Sequence, residues 1–279
     1  MNNLYMRYLK SEQKSDKTIE SYVRCITKTL DYIGKPDDKI TYLDLIDWKA
    51  SLSGMASATI CLYISAIESY FEFLHNAGLI EENPAKKLTR PQIKNKEKPY
   101  MTAADLRALV NNARTLRDKA IFLLYGSTGL RVSELTSITL EDYAKAKANN
   151  GHLVVLGKGN KERTTYINEE TMNAIEAYLP QRSSRARCDK LFLSFQGNEI
   201  ARGNLGQTIK TAAKNAGLPY WNELSNHSLR AGCATVYAQA GVNVSTIQHI
   251  LGHSSLSVTT RYIKNTQANI DNAIMVGSF

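Results

Sequence analysis

Residues 152–167, HLVVLGKGNKERTTYI, carry the clear β signal of the chain. Two short runs rich in apolar and β-branched residues flank a turn. Gly159-Asn160 within that turn tolerates positive φ, so the segment predicts an antiparallel hairpin. On both sides the apolar spacing is helical. Upstream, Thr102 is an N-cap for TAADLRALVNNAR, and the more apolar LRDKAIFLLYGSTG follows. Downstream the chain reads as further helices, with Pro180 and Gly217-Leu218-Pro219 as breaks. The fold class that follows is mainly α with a small antiparallel β-sheet.

Farther out, residues 1–88 predict a small helical bundle without a strand. Ser15 and Thr18 offer N-caps to a helix starting near residue 15, in which Ile19, Tyr22, Val23, Ile26, Leu30 and Ile33 follow a 3.6-residue period. Gly34-Lys35-Pro36 ends it. Thr41 opens a second helix, TYLDLIDWKASLS, closing near Gly54. A third, SATICLYISAIESYFEFLHNAGLI, sets Ile60, Ile64, Ile67, Tyr70, Phe71 and Leu74 on one face, with Gly78 as the C′ residue. After the bundle, PAKKLTRPQIKNKEKPY (84–100) contains three prolines. Its Lys86, Lys87, Arg90, Lys94, Lys96 and Lys98 face Glu97 alone. It reads either as a solvated tether or as a strap along a phosphate backbone. The expected organisation is a helical domain over 1–88, a basic linker over 89–100 and an α+β domain over 101–279.

The chain has 279 residues, 43% hydrophobic and 22% charged, enough for two domains with cores of their own and too apolar for overall disorder. No run approaches the roughly 18 apolar residues of a membrane span. MNNLYMRYLKSEQK lacks the apolar run of a signal peptide, so the cytoplasm is the expected compartment and no membrane partner is expected. Cys25, Cys61, Cys188 and Cys233 form no CxxC pair and are expected as free thiols. The formal charge is +9, unevenly placed. Residues 1–88 hold 11 Lys+Arg and 12 Asp+Glu, whereas residues 101–279 hold 20 and 13. A polyanion such as nucleic acid suits that excess, and so does a solvated basic surface.

Five segments carry candidate chemistry. In GSTGLRVSEL (126–135), Arg131 opens a helix with Glu134 one turn on. The two form either a surface i,i+3 pair or, with the helix N-terminus, a phosphate site. In GKGNKER (157–163), Lys158 sits at the hairpin tip, either solvated or swinging in to protonate a leaving alkoxide. In NHSLRAGCAT (226–235), His227 and Arg230 share a helix face; they could bracket a phosphate, or His227 could cap or pack. In IQHILGHSS (247–255), His249 and His253 are four apart, but Gly252 breaks the helix between them and no cluster completes a tetrahedron, so no metal site is expected. His253 is placed to face a cleft. In SVTTRYIKN (257–265), Tyr262 is one of 15 tyrosines, and nothing local singles it out.

Taken in order, these segments resemble the tyrosine recombinase (phage integrase) family, whose Arg…Lys…His-x-x-Arg…His…Tyr set is matched by Arg131, Lys158, His227, Arg230, His253 and Tyr262. TGLRVSEL, GKGNKER, HSLRA, LGHSS and TTRYIK match the surrounding motifs, and residues 59–88 resemble the end of the family's core-binding domain. The resemblance covers nearly the whole chain and suits an Xer-sized member without an extra arm-binding domain. It implies a SAM-like core-binding domain and a catalytic domain forming a C-shaped clamp around double-stranded DNA with specific recombination sites. It also implies strand cleavage through a 3′-phosphotyrosyl link, with no cofactor, metal or ATP.

The roles it implies follow from charge. Arg131 and Arg230 hold the phosphate in a fork, and His253 adds a hydrogen bond. Tyr262, with a reference pKa of about 10, attacks phosphorus. His227 accepts its proton, and Lys158 protonates the leaving 5′ oxygen. Glu134 orients an arginine from behind. Lys86, Lys87, Arg90, Lys94, Lys96 and Lys98 lie along the DNA backbone. A homotetramer on DNA is implied, with the tail bearing Ile270, Ile274, Met275, Val276 and Phe279 docking on a neighbour or packing on its own domain.

Two departures stand out. Ala231 occupies a position where the family often has His, and the Cys61-Leu62-Tyr63 region is less basic than is usual for a DNA-facing helix. Other readings are a type IB topoisomerase-like nicking-closing enzyme, a catalytically silent DNA-binding protein on the same fold, and a helical RNA- or protein-binding module. The sequence leaves open the DNA site, the biological outcome, and whether a second recombinase or an accessory protein takes part.

Overall fold

Trp48, Tyr70 and Phe71 are almost wholly buried and mark the first of two separate cores. The computed structural model describes residues 2–93, 101–157, 162–183 and 186–252. It divides into two compact units, Met1–Lys96 and Glu97–Phe279.

The first unit is built from α1 (Asn2–Ser11), α2 (Asp16–Ile33), α3 (Tyr42–Ser51) and α4 (Ser57–Asn76). Ser15 caps α2 by accepting from the Thr18 amide, and Gly34, at φ 66°, ends it by donating to the Leu30 carbonyl. Thr41 and Asp44 form a reciprocal capping box on α3. Gly78, at φ 68°, closes α4, with the Leu79 amide donating to the Leu74 carbonyl at 2.9 Å. The bundle begins earlier than the periodicity near residue 15 predicts, because α1 is a core element. Tyr5 and Leu9, one turn apart, are fully buried, and the Tyr5 hydroxyl donates to Ser69 Oγ on α4 at 2.8 Å. Preceded by Met1, not a capping residue type, and with no acid in its first turn, α1 offers no start signal.

The proline-bearing stretch from Pro84 gives its first residues to this unit, Thr89 to Pro91 of the expected linker among them. Ala85 and Leu88 are in the core. Lys49 Nζ donates to the Thr89 carbonyl at 2.6 Å, Arg90 pairs with Glu68, and Cys61 Sγ reaches the Pro91 carbonyl at 3.7 Å.

The second unit comprises α5 (Ala103–Asn111), α6 (Leu116–Thr128), α7 (Val132–Ser137), α8 (Leu140–Ala148), the strands β1 (His152–Leu156) and β2 (Glu162–Tyr166), then α9 (Glu169–Ser183), α10 (Arg202–Asn215), α11 (Asn226–Gln239) and α12 (Val244–Leu251). Six consecutive residues of α6, Ala120–Tyr125, are buried, so this helix is central; it packs on α9, α11 and α5. The hairpin is antiparallel as expected, with Val155 opposite Arg163 and Leu153 opposite Thr165. Leu153 and Val155 point inward. Pro180 does not break the chain. It lies inside α9, whose last turn is held by buried Arg182 donating to the carbonyls of Cys188, Lys190 and Leu191. All four cysteines are free thiols, and no described helix is long and apolar enough to cross a membrane.

Candidate active site

The site is assembled where α6, α7, α11, α12 and β2 meet. Gly129 ends α6 at φ 57°, a left-handed conformation that L side chains rarely adopt. A Cβ there would also lie 2.3 Å from Leu251 Cδ2 and 3.2 Å from Cys233 Sγ, so both buried side chains would have to shift to admit one. Two residues on, Arg131 is the N-cap of α7. Its amide donates to Glu134 Oε2 at 2.7 Å, and its Nη1 donates to Glu134 Oε1 at 2.8 Å.

Glu134 is not part of a surface pair, because only 3% of it is exposed. Arg163, from β2, grips it from the other side. Nη1 donates to Oε1 and Nη2 to Oε2, both at 2.8 Å, in a bidentate fork. Burial by itself would raise the Glu134 pKa. The fork from Arg163 and the Arg131 amide and guanidinium outweigh it and hold the carboxyl down at about 2.

Arg230 lies in the buried middle of α11, 3% exposed. Its Nη1 donates to the Gly129 carbonyl and its Nη2 to the Leu251 carbonyl, both at 2.6 Å. Arg131 Nη2 donates to the next carbonyl, Gly252, at 2.7 Å. The two arginines thus converge on the C-terminal end of α12, immediately before His253. Three guanidiniums against one carboxylate leave this cluster net positive, suited to an anion.

Of the residues expected from the sequence, Arg131, Glu134 and Arg230 are brought together. His227 is exposed in the first turn of α11, one turn from Arg230. Lys158, His253 and Tyr262 lie outside the described residues, as do Lys94, Lys96 and Lys98. Lys86 and Lys87 are exposed, and Arg90 is exposed while paired with Glu68. Ala231, the residue after Arg230 on α11, is buried. Among the described residues, no group of three or more His, Cys, Asp or Glu is placed to hold a metal ion. The residue missed by sequence reading is Arg163. A signal existed: it shares its strand face with buried Thr165, so the period of two turns an arginine inward.

Residues 99–269 match the model of the Phage integrase family, and residues 3–78 that of the phage integrase N-terminal SAM-like domain. Among curated proteins, the chain is 32% identical to tyrosine recombinase XerC of Caldanaerobacter subterraneus, over 97% of this chain and 77% of that one. It is 33% identical to tyrosine recombinase XerA of Pyrococcus horikoshii, over 97% and 90%. Among solved structures, XerH site-specific recombinase bound to a palindromic difH substrate superposes with a TM-score of 0.74 at 20% identity, covering 92% of this chain and 78% of that one; this likeness speaks to fold alone. The sequence identities to the recombinases extend over both units, and the chain belongs to the phage integrase family, as a tyrosine site-specific DNA recombinase.

Proposed function

We propose that the protein cleaves and rejoins double-stranded DNA at specific recombination sites through a 3′-phosphotyrosyl intermediate, with Tyr262 as the nucleophile. The observation that carries this reading is the convergence of Arg131 and Arg230 on the adjacent carbonyls of Gly252 and Leu251. Two always-charged forks beside one another suit a phosphodiester whose non-bridging oxygens gain charge as it is attacked. His253 follows Gly252 directly and would add a hydrogen bond to the same oxygens.

In the forward step the Tyr262 oxygen bonds to phosphorus and the bond from phosphorus to the 5′ oxygen breaks. The tyrosyl proton passes to His227, and Lys158 supplies a proton to the leaving oxygen. One phosphodiester is exchanged for another, so the step conserves bond energy and needs neither ATP nor, on this reading, a metal. Attack by the 5′ hydroxyl of a partner strand reverses it. Exchange between two duplexes requires four such sites, hence a homotetramer on DNA, with the apolar tail from Ile270 to Phe279 docking on a neighbouring subunit. The exposed Lys86 and Lys87, with Arg90, Lys94, Lys96 and Lys98, would follow the DNA backbone. The working compartment on this reading is the cytoplasm.

Covalent capture in cells tests the proposal. Tagged wild type and Tyr262→Phe are isolated under fully denaturing conditions and any attached DNA is sequenced. DNA recovered with wild type alone supports the nucleophile and reads out the site. Equal recovery with Tyr262→Phe would overturn the assignment of Tyr262.

A further inference from the structure

The end of α12 needs partners for its carbonyls, since the last turn of a helix has no amides of its own to satisfy them. The Gly252 amide serves the carbonyls of Gln248 and His249. The next three are each taken by a different arginine. Ile250 accepts from Arg163 Nε at 3.2 Å, Leu251 from Arg230 Nη2 at 2.6 Å and Gly252 from Arg131 Nη2 at 2.7 Å. Cations at a helix C-terminus also meet the negative end of its dipole. Arg131 and Arg230 belong to the phosphate clamp proposed above. Arg163 is set apart from them by its charge, which is already balanced: both of its terminal nitrogens fork onto the Glu134 carboxylate, whereas those of Arg230 donate to backbone carbonyls.

We propose that Arg163 is a positioning residue for strand cleavage: it fixes Glu134 and the end of α12 to β2, and so sets the two arginines of the clamp, Arg131 and Arg230, in register with one another. The inference rests on the catalytic reading above.

Three features support it. First, Arg163 touches three elements at once, being on β2, forked onto α7 and bonded to α12. Second, Gly252 is shaped around it. With φ at 63°, a Cβ on Gly252 would come within 2.9 Å of Arg163 Cδ and 3.1 Å of its Nε. Third, Glu134 shares its two oxygens between Arg131 and Arg163. Without Arg163 the full carboxylate charge would fall on Arg131, drawing it from an incoming phosphate.

The test uses the full-length protein and a duplex containing the site recovered by covalent capture, nicked so that cleavage is irreversible. Arg163→Met and Arg163→Lys are compared with wild type for duplex affinity, for single-turnover rate of adduct formation and for thermal midpoint. Lysine keeps the charge and can reach one oxygen of Glu134, but it cannot span both oxygens and the Ile250 carbonyl.

A displacement of a reacting group by about 1 Å costs about 100-fold in rate, so Arg163→Met should cleave about 100-fold slower, with Arg163→Lys between it and wild type, while affinity stays within threefold. A second duplex carries sulfur in place of the leaving 5′ oxygen, which departs without a proton. The defect should persist on it, since Arg163 acts through the clamp. Wild-type rates in both variants overturn the proposal. So does a rate loss matched by an equal loss of affinity, or a defect abolished by the sulfur substrate. If Arg163→Met fails to fold, Arg163→Lys decides; if neither folds, the role is architectural and the proposal falls. A wild type that forms no adduct beyond Tyr262→Phe instead removes the catalytic reading itself.

Discussion

Glu134 shows how one side chain can make a stability and a site at once. Its carboxyl is held at about 2 although it is buried, against an unfolded value of about 4.3. A depressed carboxyl pKa stabilises the fold above the unfolded value, and that contribution fades as pH falls toward the folded one. For Glu134 the window is roughly pH 5 to 2, with about 3 kcal/mol at stake. Glu134→Gln should lower stability at pH 7 by on the order of 3 kcal/mol, because Arg163 would be left with an uncompensated charge. In urea titrations across pH, the gap between wild type and Glu134→Gln should narrow from pH 6 to pH 2.5; a constant gap would show that the ionised carboxylate is not the stabilising species. Gly129→Ala should cost about 2–4 kcal/mol by equilibrium unfolding, from strain at φ 57° and the overlap with Leu251. Legibility at this scale followed sequence distance. Arg131 and Glu134 are three apart and could be paired on paper. The bonds from Arg131 to Gly252 and from Arg163 to Ile250 span 121 and 87 residues, and no local pattern encodes them.

At the scale of elements, caps and periods were readable where they exist. Thr41, Thr102 and Gly78 end or begin helices as their chemistry dictates, each through a bond made within a few residues. The hairpin was readable because runs rich in apolar and β-branched residues flank the Gly159-Asn160 pair, although which face of β1 turns inward was not, since the exposed Val154 and Leu156 are as apolar as the buried Leu153 and Val155. Two elements were not. Helix α1 has no capping residue type before it, and its place is set by tertiary packing of Tyr5 and Leu9 on the bundle; α9 continues through Pro180 because Arg182 fastens its end to the carbonyls of the loop that follows, from Cys188 to Leu191. Adjacent residues of α1 provide a clean test. Tyr5→Ala should destabilise the first unit by about 3–5 kcal/mol, as a large buried ring is lost. Leu4→Ala, at a position 52% exposed, should stay within about 0.5 kcal/mol. Equal effects in urea unfolding would mean that α1 does not dock through the Tyr5 face.

On the scale of the whole molecule, two cores imply two separable contributions to DNA binding, and charge assigns them unequal weight. Residues 1–96 hold 14 Lys+Arg and 12 Asp+Glu; residues 97–279 hold 21 and 14. The bundle is also wired internally: Arg90 is spent on Glu68, Lys35 on Asp44 and Lys49 on Thr89. Each phosphate neutralised releases counterions and adds about 0.9 to the slope of log affinity against log salt. The fragment 97–279, which encloses its own core, should therefore keep more than half of the full chain's salt slope on the same duplex, while its affinity falls at every salt concentration as the contacts of the first unit are lost. Titration of both proteins from about 50 to 200 mM salt measures this directly. A fragment slope near zero would place the phosphate contacts in the first unit. It would mean that the basic excess of the second unit faces solvent, and that the arginines around α12 meet a phosphate only after the bundle has delivered it.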